Sequence, residues 1–203
     1  MKGERIMKKS FNDSGLTVKR SNRRFIAGLT AILMAVLPAC KRTTPTPRQT
    51  YPATYTTAYE QIFGHCYDSL PDLAVVGLDL YSEGVDLDAD SVIRGTGYNL
   101  YFSDIFVPDS LLEEGEYHSL LPFNFQFSPF TFLPGKDFEG MPYGMYLLTI
   151  EQDKVTQIQV LDSGSFVYRD NSLQFTLYYT NSEGNPTTYT CSYSGALIPW
   201  LKR

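Results

Sequence analysis

The chain has 203 residues, with 17 basic against 22 acidic side chains and 43% hydrophobic residues, which excludes a disordered polyampholyte, a collagen and a multi-span membrane protein. Fifteen Tyr and thirteen Phe stand beside 15 Gly and 12 Pro, a balance that favours short strands and turns over long helices. One domain of ordinary size is expected.

Residues 1–24 carry eight basic side chains (Lys2, Arg5, Lys8, Lys9, Lys19, Arg20, Arg23, Arg24) against Glu4 and Asp13, and Phe25 to Ala39 then run for 15 residues without a charge. A basic start followed by an apolar run of this length reads as a signal peptide over residues 1–39. A helix needs about 20 apolar residues to cross the hydrocarbon core of a bilayer, so the run is short for a permanent span. It ends in Leu37-Pro38-Ala39-Cys40, which resembles the lipobox of bacterial lipoproteins. The resemblance implies that Cys40 becomes the lipid-bearing first residue; the alternative is an ordinary secretory peptide in which Cys40 is accidental. One acyl chain anchors only marginally, at about 0.8 kcal/mol per buried methylene, whereas the three chains of that family make attachment lasting. The expected partner is therefore the membrane, reached through a lipid anchor and not through a span.

Without residues 1–39 the balance is nine basic against twenty acidic groups, and from Tyr51 onward it is six against twenty, a net charge of −14. Such a body repels phosphate backbones, which excludes a nucleic-acid function. Lys41 to Tyr55 reads KRTTPTPRQTYPATY, where Pro45, Pro47 and Pro52 fix their own backbone and bias their predecessors to extended forms; residues 40–55 are expected to be a semi-stiff Thr/Pro-rich tether.

Residues 56–203 alternate with period 2 far more than with period 3.6. The clearest case places Leu173, Phe175, Leu177 and Tyr179 on one face and Gln174, Thr176, Tyr178 and Thr180 on the other. After the turn Asn181 to Pro186, Tyr189, Cys191 and Tyr193 alternate with Thr188, Thr190 and Ser192, so residues 172–194 are predicted to form a β-hairpin. Further strands are expected over Ala74 to Tyr81, Tyr98 to Val107, the Phe123-Phe125-Phe127 alternation, Tyr143 to Glu151, Val155 to Leu161 and Ser165 to Arg169. Turn clusters separate them, at 82–84, 95–97, 133–142, 151–154 and 161–165. One short helix is predicted around Asp109 to Glu114, capped by Asp109 and ended by Gly115. Seven or more short strands so spaced imply an all-β domain, an antiparallel β-sandwich or barrel. LDLYSEG at 78–84 and LYYTNSEG at 177–184 echo one another, either through duplication or through turn chemistry that arose twice.

The lipobox, the tether, the run GTGYNLYFSD…EEGEY and the closing TCSYSGAL together resemble the small surface or periplasmic lipoproteins of Bacteroidota. The resemblance covers most of residues 40–198 and implies a lipid-anchored β body at the outer membrane, facing either the periplasm or the outside. It supplies no active-site residues.

Chemistry has few openings. If Cys40 takes lipid, Cys66 and Cys191 remain, and they are expected either to pair as a disulfide in an oxidising compartment or to stay free as small buried hydrophobes. Asp86, Asp88 and Asp90 have the spacing that begins a calcium loop, but Ser91 stands where the sharp turn needs Gly and Gly97 where a bidentate Glu belongs; a solvated acidic turn is the better reading, and no metal is expected. His65 and Cys66 are adjacent, and on a strand would face opposite ways, against a Cys-His dyad. His118 has no Cys or His beside it. No zinc spacing, phosphate loop, nucleophile elbow or dinucleotide fingerprint is present, so no cofactor and no catalytic residue is expected. Glu113, Glu114, Glu116, Asp137 and Glu139 flank turns, where acids are usually solvated, though two carboxylates at a set separation would suffice for a glycosidase. Loop aromatics Phe130, Phe132, Phe138, Tyr143 and Trp200 are candidates for stacking on a sugar ring or lining an apolar pocket, with core packing as their alternative use. The expected function is non-enzymatic binding, adhesion or envelope assembly with a glycan or an envelope protein as partner. A carrier with an aromatic pocket and a carbohydrate-active enzyme stand as the alternatives.

Overall fold

The computed structural model describes residues 50–121 and 126–200. The expected signal peptide, Cys40, most of the expected tether and the expected strand residues Phe123 and Phe125 lie outside the described residues. Those described form strands and no helix: β1 (Thr54–Tyr55), β2 (Thr57–Gly64), β3 (Ala74–Tyr81), β4 (Val85–Leu87), β5 (Ile93–Gly95), β6 (Gly97–Val107), β7 (Gly115–Ser119), β8 (Thr131–Phe132), β9 (Lys136–Phe138), β10 (Met141–Tyr143), β11 (Met145–Glu151), β12 (Lys154–Val160), β13 (Ser163–Arg169), β14 (Ser172–Thr180), β15 (Pro186–Ser194) and β16 (Ile198–Trp200). The fold is all-β.

The main sheet is mixed and curls on itself. β15 pairs with β14, β14 with β13, β13 with β7, β7 with β8, β8 with β6, β6 with β3 and β3 with β2. One continuous segment then joins the two ends. Thr54 and Tyr55 run parallel to Ser192 and Tyr193, and after Thr56 the same chain pairs with β3 on one side and with β16 on the other, Tyr59 opposite Ile198. The hydrogen-bonded circuit is therefore closed, and of the two forms left open by the sequence the register selects the barrel. β6 carries a fork: Gly97 to Phe102 pair with β11, while Ile105 and Phe106 pair with β8. β12 pairs onto β11, and the ladders β4–β5 and β9–β10 stand apart.

A barrel wall of about eight strands encloses an interior just wide enough for side chains to fill, and alternation decides which side chains fill it. Leu173, Phe175, Leu177 and Tyr179 of β14 point inward with Tyr189, Cys191 and Tyr193 of β15, and the ladder sets Phe175 opposite Cys191 and Leu177 opposite Tyr189. The predicted 172–194 hairpin is formed. In the centre, Phe166 stacks on Tyr117 with centroids 4.5 Å apart and planes 7° from parallel, and meets Phe102 and Phe132 at 5.7 and 5.5 Å. Each such ring contributes roughly 1.5–3 kcal/mol by leaving water. β3 is buried on both faces: Ala74, Val76, Leu78 and Leu80 face the interior, Val75 packs outside with Phe106 and Leu133, and Tyr81 packs outside with Val85 and Ile150.

Two expectations are corrected and two open alternatives are decided. The spacer reading runs too far, because Tyr51 packs edge-on to Tyr98, Tyr179 and Tyr189, and Tyr55 is buried with its hydroxyl 2.8 Å from that of Tyr189. Pro52 does not prevent this, since its carbonyl accepts the Tyr189 hydroxyl at 2.7 Å. The helix predicted around Asp109 to Glu114 is absent: the Leu112 N–H is taken by Glu60 Oε1 at 2.6 Å and the Glu113 N–H by the Tyr117 hydroxyl at 3.2 Å. Those partners hold the loop across one end of the barrel, with Leu112 in the core. Cys66 is exposed and Cys191 buried, both as free thiols, so the Cys66–Cys191 disulfide is not formed and only Cys191 follows the buried-thiol alternative. The echo is not a structural repeat, since β14 runs into the strand it pairs with, whereas β4 pairs with β5 and not with β3.

Candidate functional site

The five loop aromatics are not brought together. Phe132 is fully buried, and Phe130 packs edge-on to Tyr117 at 5.2 Å; both serve the core. Phe138 and Tyr143 sit on the β9–β10 ladder and are exposed. Trp200 meets Tyr59 on another part of the outer surface, with centroids 5.6 Å apart. The five share no platform, and among the described residues two grooves and a polar patch on the outer face of β2, β3, β6 and β11 offer ligand chemistry.

The first groove follows from the fork in β6. At Ser103 and Asp104 the edge of β6 has lost one neighbour and not yet gained the next, and the chain at 133–135 and 144–145 closes the gap: Ser103 N–H donates to the Gly144 carbonyl at 2.9 Å, and Leu133 N–H to the Asp104 carbonyl at 3.0 Å. Gly144 has φ +78, and a Cβ there would strike the Pro134 carbonyl, so glycine is required for this approach. The result is a groove of about 290 Å³ lined by Phe127, Leu133, Pro134, Lys136 and Tyr143. Beside it Asp104 accepts the Tyr67 hydroxyl at 2.7 Å and the Ser103 hydroxyl. Burial first, and then the Asp104 carboxylate, push the Tyr67 hydroxyl far above its ordinary range. The walls are apolar and aromatic with one cation at the rim.

Asp79, on the outer face of β3, is the patch that period-2 reading of AVVGLDLY did not single out. It is 4% exposed and accepts hydrogen bonds from Asn99 Nδ2 at 3.1 Å, from Gln61 Nε2 and from the Tyr81 hydroxyl. Burial raises its pKa to about 6, and those three donors hold it from rising further. An acid inside an otherwise apolar run is itself the signal that would have found it. Burial also holds the Tyr101 hydroxyl neutral up to about 12, and Asp79 and Asp104 both add to that effect.

The second groove, about 190 Å³, is lined by Tyr59, Leu87, Asp88, Ser91, Pro199 and Trp200. β16 brings Trp200 here by its parallel pairing with β2. Asp88 accepts the N–H groups of Asp90 and Val92, each at 3.0 Å, and Arg94 Nε at 2.8 Å. Those donors lower its pKa, the Val92 N–H most and Arg94 next. The run Asp86, Asp88, Asp90 is thus organised as a turn, and among the described residues no three His, Cys, Asp or Glu side chains gather as a metal site.

The remaining candidates are dispersed. His65 Nδ1 lies 3.1 Å from the Leu73 carbonyl, and His118 pairs with Glu116 at 3.5 Å on the surface. Glu114 accepts the Asp170 N–H at 2.8 Å and Asp137 the Gly140 N–H at 2.8 Å, so two of the acids read as flanking turns hold turns. Comparison of the chain with protein-family models, with curated proteins and with solved structures returned no match.

Proposed function

We propose that this protein is a lipid-anchored component of the outer membrane, tethered at Cys40, whose barrel binds a glycan or envelope-protein partner on its outer face without performing chemistry. The observation that carries the reading is the filled interior: Tyr117, Phe102, Phe132, Phe166 and Phe175 occupy it, and the loop carrying Leu112 crosses one end. A carrier needs a lumen, and among the described residues these rings take up the interior, which favours surface binding over a carrier role. The reading places binding on the surface, where the fork groove and the exposed Phe138, Met141 and Tyr143 of the adjacent ladder form a run of aromatic and apolar side chains. Tyr51, where the chain enters the barrel, sits beside Tyr179 and Tyr189 at the β14–β15 hairpin.

The test places a photo-crosslinking residue at Phe138, at Tyr143 or at Glu183, on the polar β14–β15 turn, in cells making the full chain. Adducts at Phe138 and Tyr143 and none at Glu183 are expected. Adducts at Glu183 alone, or at no position, overturn binding through this face.

A further inference from the structure

The groove between β2, β4 and β16 has a composition that the proposed partner binding does not use. Tyr59 and Trp200 meet at an interplanar angle of 67°, with centroids 5.6 Å apart, so their rings form a corner and not a stack. Leu87 and Pro199 add apolar wall, and Asp88 lines the groove with a carboxylate whose charge is already paired with Arg94 at 2.8 Å. Asp86 is close enough that its charge acts on the Tyr59 hydroxyl. Electron-rich ring faces beside carboxylates attract a cation, and the body from Tyr51 onward carries a net charge of −14.

Two further facts narrow the class. At about 190 Å³ the groove is small and suits a compact head group. The Asp88 carboxylate already accepts two backbone N–H groups and Arg94 Nε. A primary ammonium needs three acceptors, and this groove leaves Asp88 almost none to give. A methylated ammonium needs none, only ring faces and a nearby negative charge.

We infer that the corner of Tyr59 and Trp200 binds a quaternary ammonium group, held against the two rings, with the Asp86 charge near Tyr59 as its counter-charge. The group arrives either on a free choline-type solute or on a phosphocholine head group. This site goes beyond the partner binding proposed above and does not depend on it.

Trp200 is the single tryptophan of the chain, so intrinsic tryptophan fluorescence reads the site directly. The full chain in nonionic detergent is titrated with choline, with its neutral carbon isostere dimethylbutanol and with ethylammonium. A saturable change with choline, at least about tenfold weaker with the isostere and with ethylammonium, is expected. Tyr59→Leu is expected to weaken choline binding about fivefold to thirtyfold, the range of one desolvated cation–ring contact, and Asp86→Asn to weaken it a few-fold and to flatten its salt dependence. Phosphatidylcholine vesicles, compared with vesicles of a neutral glycolipid, separate the head group from the free solute. Equal responses to choline and isostere, a linear response without saturation, or unchanged affinity in Tyr59→Leu with the fold intact by circular dichroism overturns the assignment. The crosslinking test above reads a different face, so either proposal fails without the other.

Discussion

Glu60, on the inner side of β2, accepts the backbone N–H of Leu112 at 2.6 Å, and through this bond the loop after Pro108 is fixed across one end of the barrel. Tyr117 completes the closure, its hydroxyl donating to the Glu113 carbonyl at 2.9 Å. Burial raises the Glu60 pKa, and the Leu112 N–H opposes that rise.

Replacing Glu60 by Leu leaves the Leu112 N–H without its acceptor in the interior. The expected loss is about 1–3 kcal/mol of stability, read as a lower urea midpoint, with faster hydrogen exchange at the Leu112 amide. An unchanged Leu112 exchange rate would show that the loop is held by packing alone.

Asp79 makes stability depend on pH. Its pKa is about 6 in the folded protein against an ordinary 3.8, so between those values the folded protein holds a proton that the unfolded chain has released. The stabilisation is complete below about pH 3.8 and is lost as pH rises through about 6. This group alone makes the protein more stable near pH 4 than near pH 7.5, by at most about 3 kcal/mol. Asp79→Asn is expected to raise the urea midpoint near pH 7.5 and to flatten its pH profile; a profile that stays as steep assigns the dependence to other groups.

The central rings act as one unit. Phe166→Ala removes the ring that stacks on Tyr117 at 4.5 Å, and a buried Phe→Ala change costs about 3–5 kcal/mol through lost transfer energy and the cavity left behind. Thermal unfolding checks this directly, and a cost under about 1 kcal/mol would mean that the interior collapses around the gap.

The two thiols should react differently. Burial pushes the Cys191 thiol up to about 12, so it is neutral and shielded, whereas Cys66 is exposed. In a Cys40→Ser chain, a thiol reagent is expected to titrate one group in the native state and two after unfolding. Two native equivalents, or none with a disulfide seen by mass spectrometry, would contradict this placement.

The strands that were legible in the sequence are those with one wet face. β14 and β15 lie where Leu173, Phe175, Leu177, Tyr189 and Tyr193 placed them, because alternation of apolar and polar residues fixes both period and register. β3 was legible as a strand but not in its environment, since a run buried on both faces carries no alternation to say where Asp79 points. Barrel closure was hidden because it depends on parallel pairings across more than a hundred residues, Thr54 with Ser192 and Tyr59 with Ile198. The same distance hid the corner of Tyr59 and Trp200. Asp109 to Glu114 looked helical by its cap and its Gly115 stop, and tertiary partners on Glu60 and Tyr117 overrode that local preference.

The most direct test of the account is the fate of Cys40. Cells making the full chain, or its Cys40→Ala variant, are fed labelled palmitate, and their membranes are floated. The account predicts that the unaltered protein carries label and floats with outer-membrane fractions, and that Cys40→Ala loses both while its barrel stays folded. An unaltered protein that is unlabelled and soluble would contradict it.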